Sequence, residues 1–264
     1  MKAFFLALFS SIIAPMKISV IIPDKNQSKT FLPNLKNVFL PYLDSMGLTY
    51  DVLIVADGSN KEEWDILKKQ DFPAHVHLLE DEGLKGKGNA IKKGILNANG
   101  DYILFFDADA ATDIHVFDEF KKDLGKVDAL IASRDAKGSK YGRKQPFMRR
   151  LTHFGARMVV KAKFHMKGVK DTQCGFKCFR ASVAKEIAKR QIITGFAFDV
   201  EYLYFCHLNG LIIKEYPCLW TDEPDGSSVS GLRRTSSSFY KDLKRIKKNK
   251  KNYILSQKEK EGLC

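Results

Sequence analysis

The chain has 264 residues, 44% of them hydrophobic, and 44 Lys and Arg against 31 Asp and Glu give it a formal net charge of +13. This length suits one large domain whose core needs no disulfide or metal to hold it together. The five cysteines form no C-x-x-C pair, which indicates reduced thiols. The cationic surplus predicts an anionic partner: a phosphorylated small molecule, an anionic membrane surface or nucleic acid.

The N-terminal segment, residues 1–16, carries an apolar run from Ala3 to Ala14. This run is shorter than the ~20 residues that a helix needs to cross a bilayer. It resembles a signal-peptide core, but the next residues predict a nucleotide-binding strand of a cytosolic protein. We therefore interpret the segment as a weak hydrophobic tether or as a mis-assigned start, since Met16 directly precedes a natural first strand.

Residues 17–109 alternate between strand and helix patterns. Apolar, β-branched runs predict four buried strands, at 17–23 (ended by Pro23), 50–59, 75–80 and 101–109. Helical patterns lie between them at 29–46, 61–70 and 88–100, and we expect Gly100 to cap the last of these helices. This alternation predicts an α/β fold, a mostly parallel sheet with helices on both faces, whose ligands bind beyond the carboxyl ends of the strands.

The second half is more basic and less regular. We predict a strand or loop at 171–179, helices near 181–190 and from Asp199, and a last strand at 212–220. The predicted organisation is a short N-terminal segment (1–16), a main domain (17–235) and a basic helical tail (236–264).

Two stretches hold most of the cationic surplus: residues 134–170 contain twelve Lys and Arg and one acid, and residues 241–251 contain seven and one acid. Within the first, apolar side chains recur at helical spacing between the cations: Phe147, Leu151, Phe154, Met158 and Ala162. Such a helix can lie on a lipid surface with its apolar side down. The alternative interpretations are an ordinary core-facing stripe and, for the tail, a solvated charged helix.

The stretch FFDADAATD places two carboxylates, Asp107 and Asp109, at the end of a predicted strand. Side chains two apart on a strand share one face, so these acids repel each other unless a cation lies between them. A divalent metal held jointly by carboxylates and nucleotide phosphates would remove the conflict. The alternative is that Asp109 and Asp113 only cap a following helix.

Two further motifs precede this pair. Gly86 and Gly88 flank Lys87 just before a helix, an arrangement that leaves backbone N–H groups and an ammonium available to phosphate oxygens, although it does not match the P-loop pattern. Asp57 ends the second strand, where it can accept hydrogen bonds from a base or ribose or simply form an Asx-turn. We expect the ends of the first, second and fourth strands to meet at one cleft.

Eight short motifs in order resemble those of family 2 glycosyltransferases with the GT-A fold, and are most similar to the polyprenyl-phosphate sugar synthases, a group that includes dolichyl-phosphate β-glucosyltransferases. The resemblance covers about residues 17–250. The motifs are VIIP with Asn26, ADGS, KGKGNA, FFDADAAT, SR at 133–134, DTQCGFK, FAFDVE and YPCLWTDEPDGSSVS.

The resemblance implies an inverting hexosyltransferase that moves a sugar, with glucose favoured, from a nucleotide-diphosphate donor, with UDP-glucose favoured. The implied acceptor is a lipid, preferably a polyprenyl or dolichyl phosphate; a diacylglycerol-type lipid or a saccharide hydroxyl is the alternative. It also implies Mg²⁺ or Mn²⁺ as cofactor. The basic stretches, together with the reduced cysteines, predict a peripheral position on the cytoplasmic side of a membrane.

Carried over by position, the motifs imply a set of site residues. The metal would be held by Asp107 and Asp109. Asp199 and Glu201 would be catalytic residues on the acceptor side, although acids in the first turn of a helix also occur simply because the helix dipole favours them. Asp171 would border the sugar. The implied nucleotide-sugar site comprises Pro23, Gln27, Asp57, Lys87, Asp107, Arg134, Gln173 and Gly175.

Several positions depart from the family pattern without touching the metal pair. Gln27 replaces a Glu, Ala56 an Asp and Leu84 an Asn. Ser228 replaces a Lys, so that Arg233 or Arg234 would supply that charge.

Two other classes are less consistent with the sequence. A sugar-nucleotide nucleotidyltransferase needs a Gly-rich loop with Arg and Lys after the first strand, and residues 23–29 contain no glycine. A nucleic-acid binder has only the net charge in its favour, because no reader motif accompanies it.

Overall fold

The computed structural model describes residues 16–80, 86–142, 147–221 and 229–263. The strands are β1 Lys17–Asp24, β2 Thr49–Ala56, β3 Val76–Leu79, β4 Tyr102–Phe105, β5 Ala129–Ser133, β6 Lys140–Tyr141, β7 Lys177–Arg180, β8 Ile213–Pro217 and β9 Leu219–Trp220. The helices are α1 Ser28–Asn34, a π-helical turn Leu35–Phe39, α2 Leu40–Ser45, α3 Lys61–Lys68, α4 Lys87–Asn97, α5 Val116–Lys121, α6 Phe147–Phe164, α7 Ala181–Arg190, α8 Phe198–Asn209, α9 Val229–Lys248, α10 Lys250–Tyr253 and α11 Gln257–Glu261.

Some sequence predictions fall outside the described part of the chain. They concern the N-terminal segment up to residue 15, Leu84, Ser228, and the side chains of Phe147, Leu151, Arg233 and Arg234. In the ranges that are described, no helix has the length and apolar composition to cross a membrane.

A seven-stranded sheet in the order β3-β2-β1-β4-β7-β5-β8 organises the molecule. All its neighbouring pairs are parallel except those of β7, which runs antiparallel to both β4 and β5. β6 and β9 form a separate two-stranded sheet. The predicted α/β architecture, a mostly parallel sheet, is confirmed.

Helices cover both faces of this sheet, as the alternating pattern predicts. On one face α4, α7, α8 and α9 bury Ile91, Ile187, Phe205 and Leu243 against the strands. On the other face α1, α3 and α5 bury residues such as Phe31, Leu67 and Phe117. Two-sided burial explains why β1 and β4 are continuous apolar runs instead of alternating ones.

Gly100 does not cap α4, contrary to the sequence prediction. The helix ends at Asn97 and its C-cap is Ala98, in an extended conformation. Gly100 instead lies against β1, where its N–H donates to Ser19 Oγ at 2.8 Å and a Cβ would come within 2.5 Å of Ser19 N. Glycine is required there because two backbones approach closely, not because a helix ends.

Three other element predictions need correction. The fourth strand ends at Phe105, so the acidic motif after it is loop. The predicted last strand is divided into β8 and β9, which belong to different sheets. The sheet also contains β5, Ala129–Ser133, which the sequence reading did not identify.

The basic tail is part of the main core. α9 starts before the predicted boundary at residue 236, and Phe239, Leu243, Ile246 and Tyr253 are buried within the cluster formed by α4, α7 and α8. Its hydrophobic residues face the sheet and its lysines face outward, as in an amphipathic surface helix.

Candidate active site

The ends of β1 and β2 are tied together by backbone and side-chain hydrogen bonds. Asp57 N donates to Asp24 O at 2.7 Å, and Ser59 Oγ donates to the same oxygen at 3.2 Å. Asn26, in a left-handed conformation with φ 53°, accepts from Asn60 N at 2.9 Å. Since β4 is the other neighbour of β1, three strand ends meet at one edge of the sheet, as predicted.

The Gly86–Gly88 turn lies directly beside these strand ends. Gly86 N donates to Asp57 Oδ1 at 2.5 Å, so this carboxylate holds the turn in place. Gly86 has φ +123°, a conformation that only glycine adopts without strain. α4 begins at Lys87, and its N-terminal end is a region of positive potential that favours phosphate oxygens.

Lys87 forms an ion pair with Asp107 Oδ1. Burial works against the charge on Lys87, but the carboxylates of Asp107 and Asp199 outweigh it and raise the pKa of the ammonium. The phosphate-side lysine and the acidic motif, which are twenty residues apart in sequence, are therefore in direct contact.

Asp109 lies in the same loop, and its Oδ1 accepts from Ala111 N at 3.0 Å. Burial, followed by repulsion from Asp107, raises the pKa of the Asp109 carboxyl. The two acids are thus close enough to interact, as predicted. The predicted reason is wrong, because β4 ends at Phe105 and the alternation of side chains along a strand does not orient these two carboxylates. The loop does so, with Ala110 between them at φ 57°.

These residues fit a divalent cation. Two neighbouring carboxylates are hard oxygen donors of the kind that Mg²⁺ and Mn²⁺ bind. Gly175 borders the pair so closely that a Cβ there would collide with Asp107 Oδ2, so only glycine at this position lets the carboxylate lie where it does. Among the residues described, no three His, Cys, Asp or Glu side chains gather around one point, so the pair would share a cation with the phosphates of a ligand.

Arg134 and Asp171 form a buried bidentate pair. Arg134 Nε donates to Asp171 Oδ2 at 2.6 Å and Nη2 donates to Oδ1 at 2.9 Å. Burial opposes the charge of Asp171, but the guanidinium outweighs it and holds the pKa of this carboxyl well below its usual range. Arg134 was predicted to bind the nucleotide sugar; in the structure its guanidinium pairs with Asp171 and lies over the Trp220 ring, 5.7 Å from its centroid.

Asp199 is in the first turn of α8 and almost fully buried. Lys177 Nζ donates to Asp199 Oδ1 at 2.5 Å and also to the carbonyl of Cys174. Burial raises the pKa of the Asp199 carboxyl, while Lys177 and Lys87 pull it down. The charges of Asp107, Lys87, Asp199 and Lys177 thus alternate through one network.

Glu201 has different surroundings from Asp199. It is fully buried, and its oxygens accept from Ile192 N at 2.8 Å, Ile193 N at 3.1 Å and the Tyr253 hydroxyl at 2.5 Å. Burial raises the pKa of its carboxyl and the Ile192 N–H opposes that rise. These contacts place Glu201 behind the cleft, where its carboxylate binds the backbone N–H groups of the loop between α7 and α8.

The remaining predicted residues lie around the cleft. Pro23 is half-buried in β1 opposite Val55, and Gln27 is exposed just before α1. Gln173 N donates to Asp171 Oδ1 at 3.1 Å.

Lys177 is the residue that sequence reasoning missed. A lysine inside the motif GFKCF, flanked by Phe176 and Cys178, is a detectable signal, because a fully buried ammonium needs a carboxylate partner.

Parallel strand ends, a glycine turn with a lysine at a helix N-terminus, and a pair of carboxylates form a site suited to a nucleotide diphosphate and a divalent cation. Residues 19–188 match the family described as Glycosyl transferase family 2, and the chain belongs to this family. Dolichyl-phosphate beta-glucosyltransferase of Dictyostelium discoideum is 32% identical over 245 residues, 87% of this chain and 73% of that one. The Homo sapiens protein of the same name is 31% identical over 228 residues, 81% and 69% of the two chains.

Solved structures support the fold. Glucosyl-3-phosphoglycerate synthase from Mycobacterium tuberculosis, in complex with Mn²⁺, UDP and glucosyl-3-phosphoglycerate, superimposes with a TM-score of 0.65 over 92% of this chain and 82% of that chain, at 14% identity. S. aureus TarS 1-349 in complex with UDP-GlcNAc has a TM-score of 0.60 over 94% and 70% of the two chains, at 17% identity.

Proposed function

We propose that this enzyme transfers glucose from UDP-glucose to a polyprenyl or dolichyl phosphate with inversion at the anomeric carbon. The observation that carries this proposal is the contact between Lys87 at the N-terminus of α4 and Asp107 of the acidic pair, which joins a phosphate-binding helix end to a candidate metal site. The names of the relatives support the sugar and the acceptor, and a neighbour in complex with UDP and Mn²⁺ supports the donor.

Each side of the donor has its own residues. Asp57, which is nearly buried at the end of β2, faces the nucleoside side and at the same time positions Gly86. Lys87 and the α4 N-terminus would bind the diphosphate oxygens. Asp107 and Asp109 would hold Mg²⁺ or Mn²⁺, which when bound supplies Lewis-acid stabilisation of the departing diphosphate, worth several kcal/mol.

On the acceptor side, Asp199 is the catalytic residue. An oxygen of the lipid phosphate forms a bond to the anomeric carbon while the bond from that carbon to the diphosphate breaks and UDP leaves. An acceptor oxygen that still carries a proton gives it to the ionised Asp199. Lys177 holds this carboxylate in place from behind.

The direct test incubates the full chain with UDP- and GDP-sugars, Mn²⁺ and one acceptor: polyprenyl phosphate, diacylglycerol or a saccharide. We expect a new glycolipid from UDP-glucose and polyprenyl phosphate, with a β-linked sugar by NMR. Product from diacylglycerol or the saccharide alone would replace the proposed acceptor with the alternative. A retained α-configuration, or no transfer from any donor, would contradict the proposed reaction.

We also propose that the enzyme lies peripherally on a membrane, on the cytoplasmic side, through α6 and α9. On α6, Phe154 and Met158 are 54% and 49% exposed and lie one turn apart with the exposed Lys161 on the same side. α9 lies alongside, since Lys247 Nζ donates to Lys163 O at 2.9 Å. The four cysteines in the described part of the chain are free and buried, which is consistent with a reducing compartment, and each lysine near an anionic leaflet contributes about 1 kcal/mol.

Vesicle flotation tests this placement. At low salt the chain should bind vesicles that contain phosphatidylserine, and Phe154→Ser with Met158→Ser should weaken binding by about tenfold or more, because apolar area no longer enters the interface. The control is Ile212→Ser, which changes an exposed apolar residue just before β8. This variant should bind vesicles as the unmodified protein does. Equal vesicle binding by all three proteins would show that α6 does not contact the membrane.

A further inference from the structure

The glycine turn that precedes α4 rests on a loop, residues 191–195, that connects α7 to α8. A Cβ on Gly88 would come within 2.7 Å of Ile193 O and 2.8 Å of Phe198 Cβ. Asn89 N donates to Thr194 O at 3.2 Å. The backbone that would meet the donor diphosphate is therefore packed directly on the backbone of this supporting loop.

Side chains, and not regular secondary structure, hold the supporting loop in place. Gln191, which is buried, donates from Nε2 to Gly88 O at 2.8 Å and to Ile193 O at 2.5 Å. The Tyr202 hydroxyl donates to Gln191 Oε1 at 2.8 Å. Gln191 thus links the glycine turn, the supporting loop and α8 through a single amide.

Glu201 fixes the same loop from the other side. Its two oxygens accept the N–H groups of Ile192 and Ile193, so the loop backbone is clamped by one carboxylate. A buried carboxylate that accepts several hydrogen bonds is a rigid anchor, because every lost partner leaves charge unsolvated.

The third partner of Glu201 comes from the C-terminal part of the chain. The Tyr253 hydroxyl, from α10, donates to Glu201 Oε1 at 2.5 Å, and Tyr253 is 1% exposed. Asn209 secures this tyrosine by donating to Tyr253 O at 2.8 Å and accepting from Leu255 N at 2.8 Å. Arg245 of α9 adds a contact to Ile192 O at 3.2 Å.

We infer that Tyr253 is a positioning residue for the donor diphosphate: with Glu201 and Gln191 it forms a clasp from the C-terminal helices to the glycine turn. This inference rests on the proposed function of that turn. It assigns the basic C-terminal segment a role inside the enzyme that is separate from its role at a membrane surface. It also changes Glu201 from an acceptor-side catalytic residue to a member of the clasp.

Tyr253→Phe removes one hydroxyl and keeps the ring in the core. We expect UDP affinity, measured by calorimetry with Mn²⁺, to fall about fivefold to tenfold, the range expected for loss of one ordinary hydrogen bond. The KM for the donor should rise by a similar factor, while the KM for polyprenyl phosphate stays within twofold. Tyr202→Phe, which releases Gln191 from α8, should have the same signature. Tyr240→Phe, at a 40% exposed tyrosine of α9, is the matched control and should change nothing.

Hydrogen exchange separates positioning from simple stabilisation. In Tyr253→Phe, peptides that cover 86–90 and 191–195 should exchange faster at a temperature far below unfolding, whereas peptides from β1 and β2 should not change. A lower melting temperature with unchanged UDP affinity and unchanged exchange in these two segments would overturn the inference. Failure of the unmodified protein to bind UDP would instead count against the proposed function, so the two failures are distinguishable.

Discussion

Two groups of acids line the cleft, and they differ in how their charge is compensated. Asp171 and Asp199 each have a dedicated cation, Arg134 and Lys177, and their side chains are 0% and 6% exposed. The Asp107 side chain is 37% exposed, and its partner Lys87 also interacts with Asp199 and Asp109. Burial and repulsion from Asp107 raise the pKa of the neighbouring Asp109 carboxyl.

The difference separates carboxylates that already have a cationic partner, Asp171 in the core and Asp199 on the proposed acceptor side, from a pair that can accept a further cation. A buried carboxylate with its own cation is satisfied, and removing either partner leaves an unpaired charge in the core. Asp107 and Asp109 are neighbours, and the lysine that pairs with Asp107 is Lys87. Their negative charge is therefore only partly compensated, and binding of a further cation beside them would be favourable. Changes at the two groups should therefore have different consequences.

The largest effect is expected at the acidic pair. Asp107→Ala and Asp109→Ala should each lower kcat/KM for sugar transfer by about a hundredfold or more, because a metal contribution of several kcal/mol is lost, while the melting temperature changes little. Asp113→Ala is the control: its side chain is in the same loop and is also 37% exposed. Transfer at the normal rate by either of the first two variants would contradict the assignment.

The opposite pattern is expected at the buried pair. Asp171→Asn should reduce the free energy of unfolding by about 3 to 5 kcal/mol, because Arg134 keeps its charge without a partner. The lowered pKa of Asp171 also means that its contribution is present above the unfolded pKa of about 3.9 and is lost as pH falls below it, so the variant should lose less stability on acidification. Glu119→Gln, which breaks an exposed pair with Lys122, should leave the unfolding curve unchanged. Urea unfolding between pH 3 and 7 measures both.

A smaller effect, on pH dependence, is expected at Lys177. Burial raises the pKa of Asp199, and Lys177 and Lys87 oppose the rise while Asp107 adds to it. Lys177→Gln removes the closest cation, so the pKa should rise further and the acid limb of the kcat/KM profile should move to higher pH. Lys214→Gln, at a lysine paired with Asp123 on the far edge of the sheet, should keep the original profile. An acid limb that stays in place or moves to lower pH would show that Asp199 does not titrate in the reaction.

The first half of the fold was predictable because its strands are buried on both faces and read as continuous apolar runs. β7 was harder to interpret: its lysine at 177 makes the run look irregular, and only the partner on α8, 22 residues later, explains it. The division between β8 and β9 depends on a separate small sheet, β6–β9, whose two-residue strands leave no periodic signal in the sequence.

For the site, local motifs were enough to predict Asp57, Lys87, Asp107 and Asp109, because each one follows a strand or begins a helix. The motifs did not predict which side chains pair with each other. The pairing of Arg134 with Asp171 and of Glu201 with Tyr253 joins residues 37 and 52 positions apart. These contacts follow from the packing of α8 and the C-terminal helices on the sheet, which no short motif encodes.

One measurement tests the central claim most directly, that Asp107 and Asp109 hold a divalent ion against the donor diphosphate. UDP binding is titrated by calorimetry with and without Mn²⁺, for the unmodified protein and for Asp107→Asn with Asp109→Asn. The account predicts binding that strengthens at least tenfold with Mn²⁺ in the unmodified protein and does not respond to Mn²⁺ in the variant. Equal Mn²⁺ dependence in both proteins would contradict it.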